Sequence, residues 1–161
     1  MRKLAIVLFT VAAMSGSAFA LDMKGKTGVG LRNDSFEVRH FLSNSWAVNA
    51  GGNYTYSKPA NAGVSDSYEL MLGGFWAKEI YTDILLEAGA VFTFAPGRTA
   101  GATDKFYGIN PFVGAEIMIK DHFGFDFKVI PVSFQRYDNG SGVTTKSFGS
   151  MTGSVGAHIY F

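Results

Sequence analysis

The residues of this chain that could carry chemistry are few and far apart. The sequence has no cysteine, which excludes thiol catalysis, a disulfide framework and lipid attachment to cysteine. Ser133 is a candidate nucleophile, but the sequence around it, Ile130-Pro131-Val132-Ser133-Phe134-Gln135, has no histidine to act as its base. A hydroxyl without a general base is a poor nucleophile. We therefore predict no catalytic residue.

Metal and cofactor sites are equally poorly supported. The spacing places His40 outward at a strand end, His122 in a turn and His158 inward on the last strand, whereas a useful metal site needs about three convergent ligands. Pairs of glycines recur inside predicted strands. A phosphate-binding loop would instead connect a strand to the start of a helix, so these glycines do not indicate one. We expect neither a metal nor a cofactor.

The charged residues follow a different pattern, because an alternation of period two places nine of them on one face of successive strands. We predict that they form an ion-pair network in an enclosed interior, although a narrow conducting pore remains the alternative. The nine are Arg32, Glu37, Arg39, Glu69, Glu87, Glu116, Asp126, Lys128 and Arg136.

Two details of this network follow from predicted turns. A tight turn at Asp34-Ser35 would set Arg32 directly opposite Glu37. A turn at Lys120-Asp121 would bring Glu116 and Asp126 together on one face, with Lys128 and Arg39 available to compensate the two like charges.

The elements that must position these charges are strands. The sequence is rich in glycine, phenylalanine and tyrosine, with 20, 15 and 7 residues, and no stretch after residue 20 is apolar for the length of a membrane helix. Connections rich in Gly, Ser, Asn and Pro separate eight alternating segments. We predict strands at about 25–32, 36–42, 46–57, 67–78, 83–95, 105–119, 123–136 and 147–161.

The face opposite the charges is apolar over whole strands, and its aromatic residues gather near both strand ends. Trp46, Trp76 and Phe123 belong to one girdle, and Tyr54 and Tyr107 belong to the other. Two aromatic girdles are typical of a surface that faces lipid. Because an open sheet edge is not tolerated in lipid, the strands must close. We predict an all-β, closed, antiparallel, up-and-down transmembrane β-barrel of about eight strands, with a soluble periplasmic sandwich or lipocalin-like barrel as the alternative.

The first twenty residues have the pattern of a secretory signal. Arg2 and Lys3 precede an uncharged apolar run from Leu4 to Met14, and Ala18-Phe19-Ala20 matches the small-x-small cleavage pattern. We predict a signal peptide over 1–20 and a barrel domain over 21–161. Removing Arg2 and Lys3 takes the 14 basic residues to 12, against 13 acidic ones. A balance so close to neutral does not favour a nucleic-acid partner.

The last strand carries a resemblance to a known family. Gly153-Ser154-Val155-Gly156-Ala157-His158-Ile159-Tyr160-Phe161 ends on phenylalanine, with one face formed by Val155, Ala157, Ile159 and Phe161. The whole of 21–161 resembles the eight-stranded bacterial outer-membrane barrels of the OmpA transmembrane-domain, OmpX and opacity-protein type. Position 159 departs from the pattern, since an aromatic residue is common there.

The resemblance implies location and partners more than activity. It implies export to the outer membrane of a Gram-negative cell, contact with outer-membrane lipids including lipopolysaccharide, and recognition of the face of Val155 to Phe161 by the barrel-assembly machinery. Lipid A deacylases among barrels of this size carry a histidine two residues before their serine, whereas Pro131 stands at that position before Ser133. We expect a monomeric, non-catalytic protein with a structural or surface-interaction role, and the alternatives are a lipid-modifying enzyme or a narrow pore.

Overall fold

The computed structural model describes residues 21–57, 65–99, 102–139 and 143–161. These residues form eight antiparallel strands that close into one barrel in chain order, which confirms the predicted all-β, closed, up-and-down barrel. The predicted signal peptide, 1–20, lies outside the described residues. The strands are β1 Thr27–Arg32, β2 Ser35–Phe41, β3 Trp46–Ser57, β4 Ser65–Tyr81, β5 Ile84–Thr99, β6 Ala102–Ile119, β7 Phe123–Asp138 and β8 Thr144–Tyr160.

Across the described ranges, no helix has both the length and the apolar character needed to cross a membrane.

The two ends of the barrel differ. One end, here called the terminal end, carries the start of β1, the end of β8 and the connections 42–45, 82–83 and 120–122. The opposite end, the loop end, carries the β1–β2 turn, the end of β3 and the start of β8. The predicted strands leave connections there at 96–104 and 137–146, but the described residues of both are mostly strand, because β5 pairs with β6 as far as Thr99↔Ala102 and β7 with β8 as far as Asp138↔Thr144. Their Gly and Pro content suggested loops, but backbone pairing with the neighbouring strand determines the structure.

The turn between β1 and β2 is one residue earlier than predicted. Its central residues are Asn33 and Asp34, so Arg32 pairs with Ser35 and not with Glu37. Asn33 has a φ of 47°, a left-handed conformation that asparagine tolerates better than most residues. The shift of two register positions keeps Arg32 and Glu37 on the same face, since side chains alternate with a period of two.

The barrel is strongly staggered. When the register pairs are followed from strand to strand around the barrel, Val29 on β1 leads to Phe148 on β8. The residues between them are Val38, Ala50, Leu72, Phe92, Ile109 and Phe134. Val29 itself pairs with Ile159, which is 11 residues further along β8. A stagger of this kind requires strands tilted by about 35–45° from the barrel axis, and eight such strands leave an interior that side chains can fill.

An irregularity between β6 and β7 reverses the faces of the loop-end half of β7. Three residues of β6, 110–112, lie between the pairs Ile109↔Phe134 and Val113↔Val129, whereas β7 has four residues there, 130–133. One extra residue turns the following side chains to the other face. Arg136, predicted to face the lumen, is therefore on the outer face with Phe134; its side chain is 55% exposed and pairs with Asp138.

Candidate functional site

Charged side chains fill the middle of the barrel. We call this set the lumen cluster; it comprises Arg32, Glu37, Arg39, Glu87, Glu116, Asp126, Lys128 and His158. Every strand except β3 and β4 contributes to it. All members except Arg32 are buried, and the Arg32 side chain is 12% exposed. Because each member is an inward residue of a tilted strand, residues far apart in sequence meet at one level of the lumen.

Arg39 on β2 is the centre of the lumen cluster. Its Nε donates to Glu37 Oε1 at 2.8 Å, and its Nη2 donates to Asp126 Oδ2 at 3.0 Å. Its Nη1 lies 3.1 Å from both Glu87 Oε1 and Glu116 Oε2. One guanidinium thus contacts four carboxylates from four strands, a use of its planar donor array that a lysine could not reproduce.

Arg32 links the hairpin of β1 and β2 to the last two strands. Its Nε donates to Glu37 Oε2 at 2.5 Å, and its Nη1 lies 2.7 Å from Asp126 Oδ1 and 3.2 Å from Ser154 Oγ. The Arg32–Glu37 contact is therefore present, but it runs diagonally along the hairpin and not across a register pair.

Glu116 and Asp126 form a register pair between β6 and β7, so two carboxylates lie side by side. Arg39 bridges them, Tyr160 OH donates to Glu116 Oε1 at 2.8 Å, and His158 Nδ1 lies 3.2 Å from Asp126 Oδ2. These contacts offset the repulsion between the two acids. Neither Tyr160 nor His158 was predicted to belong to the network, although their inward positions on the last strand were readable from the alternation.

Lys128 completes the lumen cluster on the side of β7. Its Nζ lies 3.1 Å from Glu87 Oε2, and also 4.0 Å from the ring centre of Phe112 and 4.8 Å from that of Phe75. Contacts of a cation with ring faces are worth more where water is excluded. The ammonium is thus held between one carboxylate and two aromatic rings.

The formal charges of the lumen cluster nearly cancel. Four carboxylates, Glu37, Glu87, Glu116 and Asp126, face the three cations Arg32, Arg39 and Lys128. A proton on the buried His158, beside Asp126, would bring the sum to zero. Because the charges are matched within a few ångströms and removed from water, each depends on its partners.

A metal ion does not fit this arrangement well. Ligand atoms of Glu116, Asp126 and His158 do lie within 4.8 Å of one another. However, Arg39 donates to both carboxylates at 3.0–3.1 Å, so a cation bound there would have to displace a guanidinium. The other two histidines are elsewhere: His40 Nδ1 bonds Thr27 Oγ1 at 3.0 Å, and His122 Nδ1 lies 3.3 Å from the Tyr160 carbonyl oxygen.

Two residues predicted to belong to the ion-pair network lie outside the lumen cluster. Glu69 on β4 accepts from Asn53 Nδ2 at 2.9 Å, nearer the loop end, and Arg136 lies outside the barrel. Ser133, the candidate nucleophile, accepts a hydrogen bond from Gln135 Nε2 at 3.3 Å. An amide cannot act as a general base for its hydroxyl.

Below the lumen cluster, an apolar layer fills the terminal end of the lumen. Its core is Phe41, Phe75, Leu85 and Met118, all at most 2% exposed, with the Phe41 and Phe75 rings edge to face at 5.8 Å. Met23, from the segment before β1, is completely buried against them. The charged and apolar layers together close this half of the barrel.

Above the lumen cluster, the lumen opens into a cavity of about 320 Å³. Arg32, Glu37 and Lys128 form its floor, and the β1–β2 turn forms part of its rim. Both polar and apolar side chains line its wall, among them Asn53, Glu69, Thr93, Met71, Val91 and Ile130.

The four residues proposed as an assembly signal lie on the outer face at the terminal end. Val155, Ala157, Ile159 and Phe161 are all exposed, and Ile159 pairs with both Val29 and Phe123. The backbone of Phe161 exchanges hydrogen bonds with Thr27 at 3.0 and 3.1 Å. Their recognition by an assembly machinery stays a prediction.

Comparison of the chain with protein-family models gives no match. A search of curated proteins likewise gives no significant match.

Proposed function

We propose that this chain is a small β-barrel of a bacterial outer membrane, without catalytic activity, whose role is structural or one of interaction at the cell surface. The observation that carries the proposal is the inverted distribution of side chains. Arg39, Glu87 and Glu116 have no exposed surface, whereas Leu72 and Phe148 are 62% and 69% exposed. A soluble domain has the opposite arrangement.

The outer face supports the proposal further. Aromatic residues on it pair across strands toward the loop end, with ring centres 4.7 Å apart for Tyr54 and Tyr68 and 5.2 Å for Phe94 and Tyr107. At the terminal end, Trp46 pairs with Trp76 in register. Leaving a large apolar side chain in water costs about 1.5–3 kcal/mol. A face with so many of them favours contact with lipid.

The architecture also favours the family that the sequence resembles. A closed eight-stranded barrel with a filled interior, short connections at one end and an outward face of Val155, Ala157, Ile159 and Phe161 is compatible with the OmpA transmembrane-domain, OmpX and opacity-protein type. On this proposal the terminal end faces the periplasm, lipids including lipopolysaccharide surround the barrel, and the assembly machinery is its partner during insertion.

The experiment that tests the proposal is refolding of residues 21–161 from urea with and without detergent or lipid vesicles. We expect β-type circular dichroism only when an amphiphile is present, and a change of mobility on gels between unheated and boiled samples. Such barrels owe this behaviour to a closed hydrogen-bonded wall. A folded monomer that stays soluble in buffer alone would refute the membrane assignment.

A further inference from the structure

The hairpin of β1 and β2 is shorter than the neighbouring strands β3 and β8, so the wall of the barrel is lower on that side. Pairing of β1 with β8 stops at Arg32↔Gly156, and pairing of β2 with β3 stops at Phe36↔Gly52. Beyond these pairs, β3 continues to Ser57 and β8 reaches back to Thr144. Asn33 still exchanges two hydrogen bonds with the backbone of Val155. Toward the loop end, the register of the described strands gives these two segments a partner on one edge only. We call this gap the notch.

The notch lies within the apolar band and not above it. Phe148 on β8 lies on the outer face, seven residues beyond Val155, and stacks edge to face on Phe134. On the other side of the notch, Tyr54 and Tyr56 of β3 are 54% and 56% exposed. Because apolar outer faces flank it on both sides, a membrane that covers these faces also covers the notch.

A strand edge in a membrane needs hydrogen-bonding partners. Each edge presents N–H and C=O groups in alternation, and leaving one unsatisfied in hydrocarbon costs several kcal/mol. Hydroxyl groups can satisfy both kinds, since each can donate and accept.

The cavity lies directly behind the notch. The β1–β2 turn borders the notch from below. Its residues Asn33, Asp34 and Ser35 also line the cavity. Its volume of about 320 Å³ is within the range of small-molecule sites, about 300–1,000 Å³. The lining is amphipathic, with Val91, Ile130 and Met71 on the apolar part.

The charges of the cavity disfavour an anionic ligand. Its two cations, Arg32 and Lys128, already pair with Glu37, Asp126 and Glu87. Glu69 contributes a carboxylate whose hydrogen-bond donor is the neutral Asn53. An anionic headgroup would meet this acid without a cation to compensate it.

We propose that the notch and the cavity form a lateral binding site for a single-chain amphiphile with an uncharged, hydroxyl-bearing head. The head occupies the cavity and bonds its asparagines and the strand-edge groups that border the cavity. The chain leaves through the notch, between β3 and β8, into the surrounding lipid. This inference rests on the proposed membrane location.

The test is photolabelling in phosphatidylcholine vesicles. The probe is a monoacylglycerol with a diazirine on the acyl chain, and labelled peptides are mapped by mass spectrometry. We expect labelling concentrated on 53–57 and 144–155, and at least fivefold weaker labelling of the outer faces of β5 and β6. Val91→Trp, which fills the cavity, should reduce the labelling of the notch several-fold. Val113→Trp, on the outer face of β6, is the matched control and should not.

The outcomes separate the two proposals. Failure of the wild-type chain to insert into vesicles would refute the membrane location. Insertion with labelling spread evenly around the barrel, or unaffected by Val91→Trp, would overturn the lateral site alone. Equal labelling of the notch by a photoreactive lysophosphatidic acid would overturn the preference for an uncharged head. If Val91→Trp does not insert, Ile130→Trp fills the same cavity and decides the question.

Discussion

At the residue scale, the interior depends on how one buried guanidinium is shared. Arg39 serves four acids that come from strands up to 87 residues away in sequence. Each acid also has a second partner: Arg32 for Glu37 and Asp126, Lys128 for Glu87, and Tyr160 for Glu116. Loss of a peripheral contact therefore leaves each carboxylate partly compensated, whereas loss of Arg39 affects all four at once.

Arg39→Ala should destabilise the folded barrel by at least about 3–5 kcal/mol, because it leaves buried carboxylates without their common partner. Urea titration in lipid vesicles, followed by tryptophan fluorescence, measures this. Arg136→Ala removes the same charge from an exposed ion pair and should cost no more than about 1 kcal/mol. Similar losses for both variants would show that the lumen cluster is not a mutually dependent unit.

A second residue-scale prediction concerns the start of the predicted mature chain. Leu21 N lies 2.7 Å from Glu79 Oε2. If cleavage occurs after Ala20, as the sequence predicts, this nitrogen becomes an ammonium and the contact a charge-assisted hydrogen bond, worth about 1.5–3 kcal/mol. Glu79→Gln should lower the stability of the chain that begins at Leu21 more than that of a chain extended by two residues. Equal effects would contradict the ion pair.

At the element scale, the alternation predicts which face a residue takes only while pairing is regular. It placed Arg32, Glu37, Arg39, Glu87, Glu116, Asp126 and Lys128 on the lumen face, where they meet. It failed at Arg136, because an unpaired residue among 130–133 reverses the faces and no local pattern reports it. The sequence also does not identify the partners of Arg39. They depend on the stagger of the closed barrel, and only the complete register of the strands determines that stagger.

The turns give an element-scale prediction. Lys120 and Asp121 both have positive φ, 50° and 57°, at the connection of β6 and β7. Glycine adopts this conformation without the cost of about 1–2 kcal/mol that a side chain incurs. Asp121→Gly should therefore raise the unfolding free energy by about 1 kcal/mol.

Asp34→Gly is the matched control for this prediction. Asp34 lies in the two-residue turn between β1 and β2 but is not among the residues with positive φ. Asp34→Gly should not raise the unfolding free energy, because glycine there only increases the freedom of the unfolded chain. A gain for Asp34→Gly as large as that for Asp121→Gly would refute the explanation by backbone conformation.

At the scale of the whole molecule, the lumen is arranged in three levels. An apolar layer closes the terminal end, the lumen cluster lies above it, and a cavity opens toward the loop end. An ion that crossed the barrel would have to pass both filled levels. This arrangement favours a structural or surface-interaction role over the narrow pore that the charges alone left open.

The barrel should therefore not conduct ions. In planar lipid bilayers, we expect inserted wild-type protein to give no discrete current steps at either polarity, since the apolar layer and the lumen cluster leave no continuous path for water. Insertion is checked in parallel by protease protection in vesicles. Discrete steps that scale with salt concentration would contradict this prediction and restore the pore.

The seam that closes the barrel has a kinetic consequence. β1 and β8 share only five register pairs, whereas β3 and β4 share twelve and β5 and β6 share sixteen. Closing it also joins the two strands most distant in sequence, so it incurs the largest loss of chain entropy for the smallest number of hydrogen bonds. The seam should form last during folding and open first in the native state. Amide hydrogens of Val29 to Arg32 should then exchange with deuterium sooner than those of β5, because the barrel opens transiently between β1 and β8.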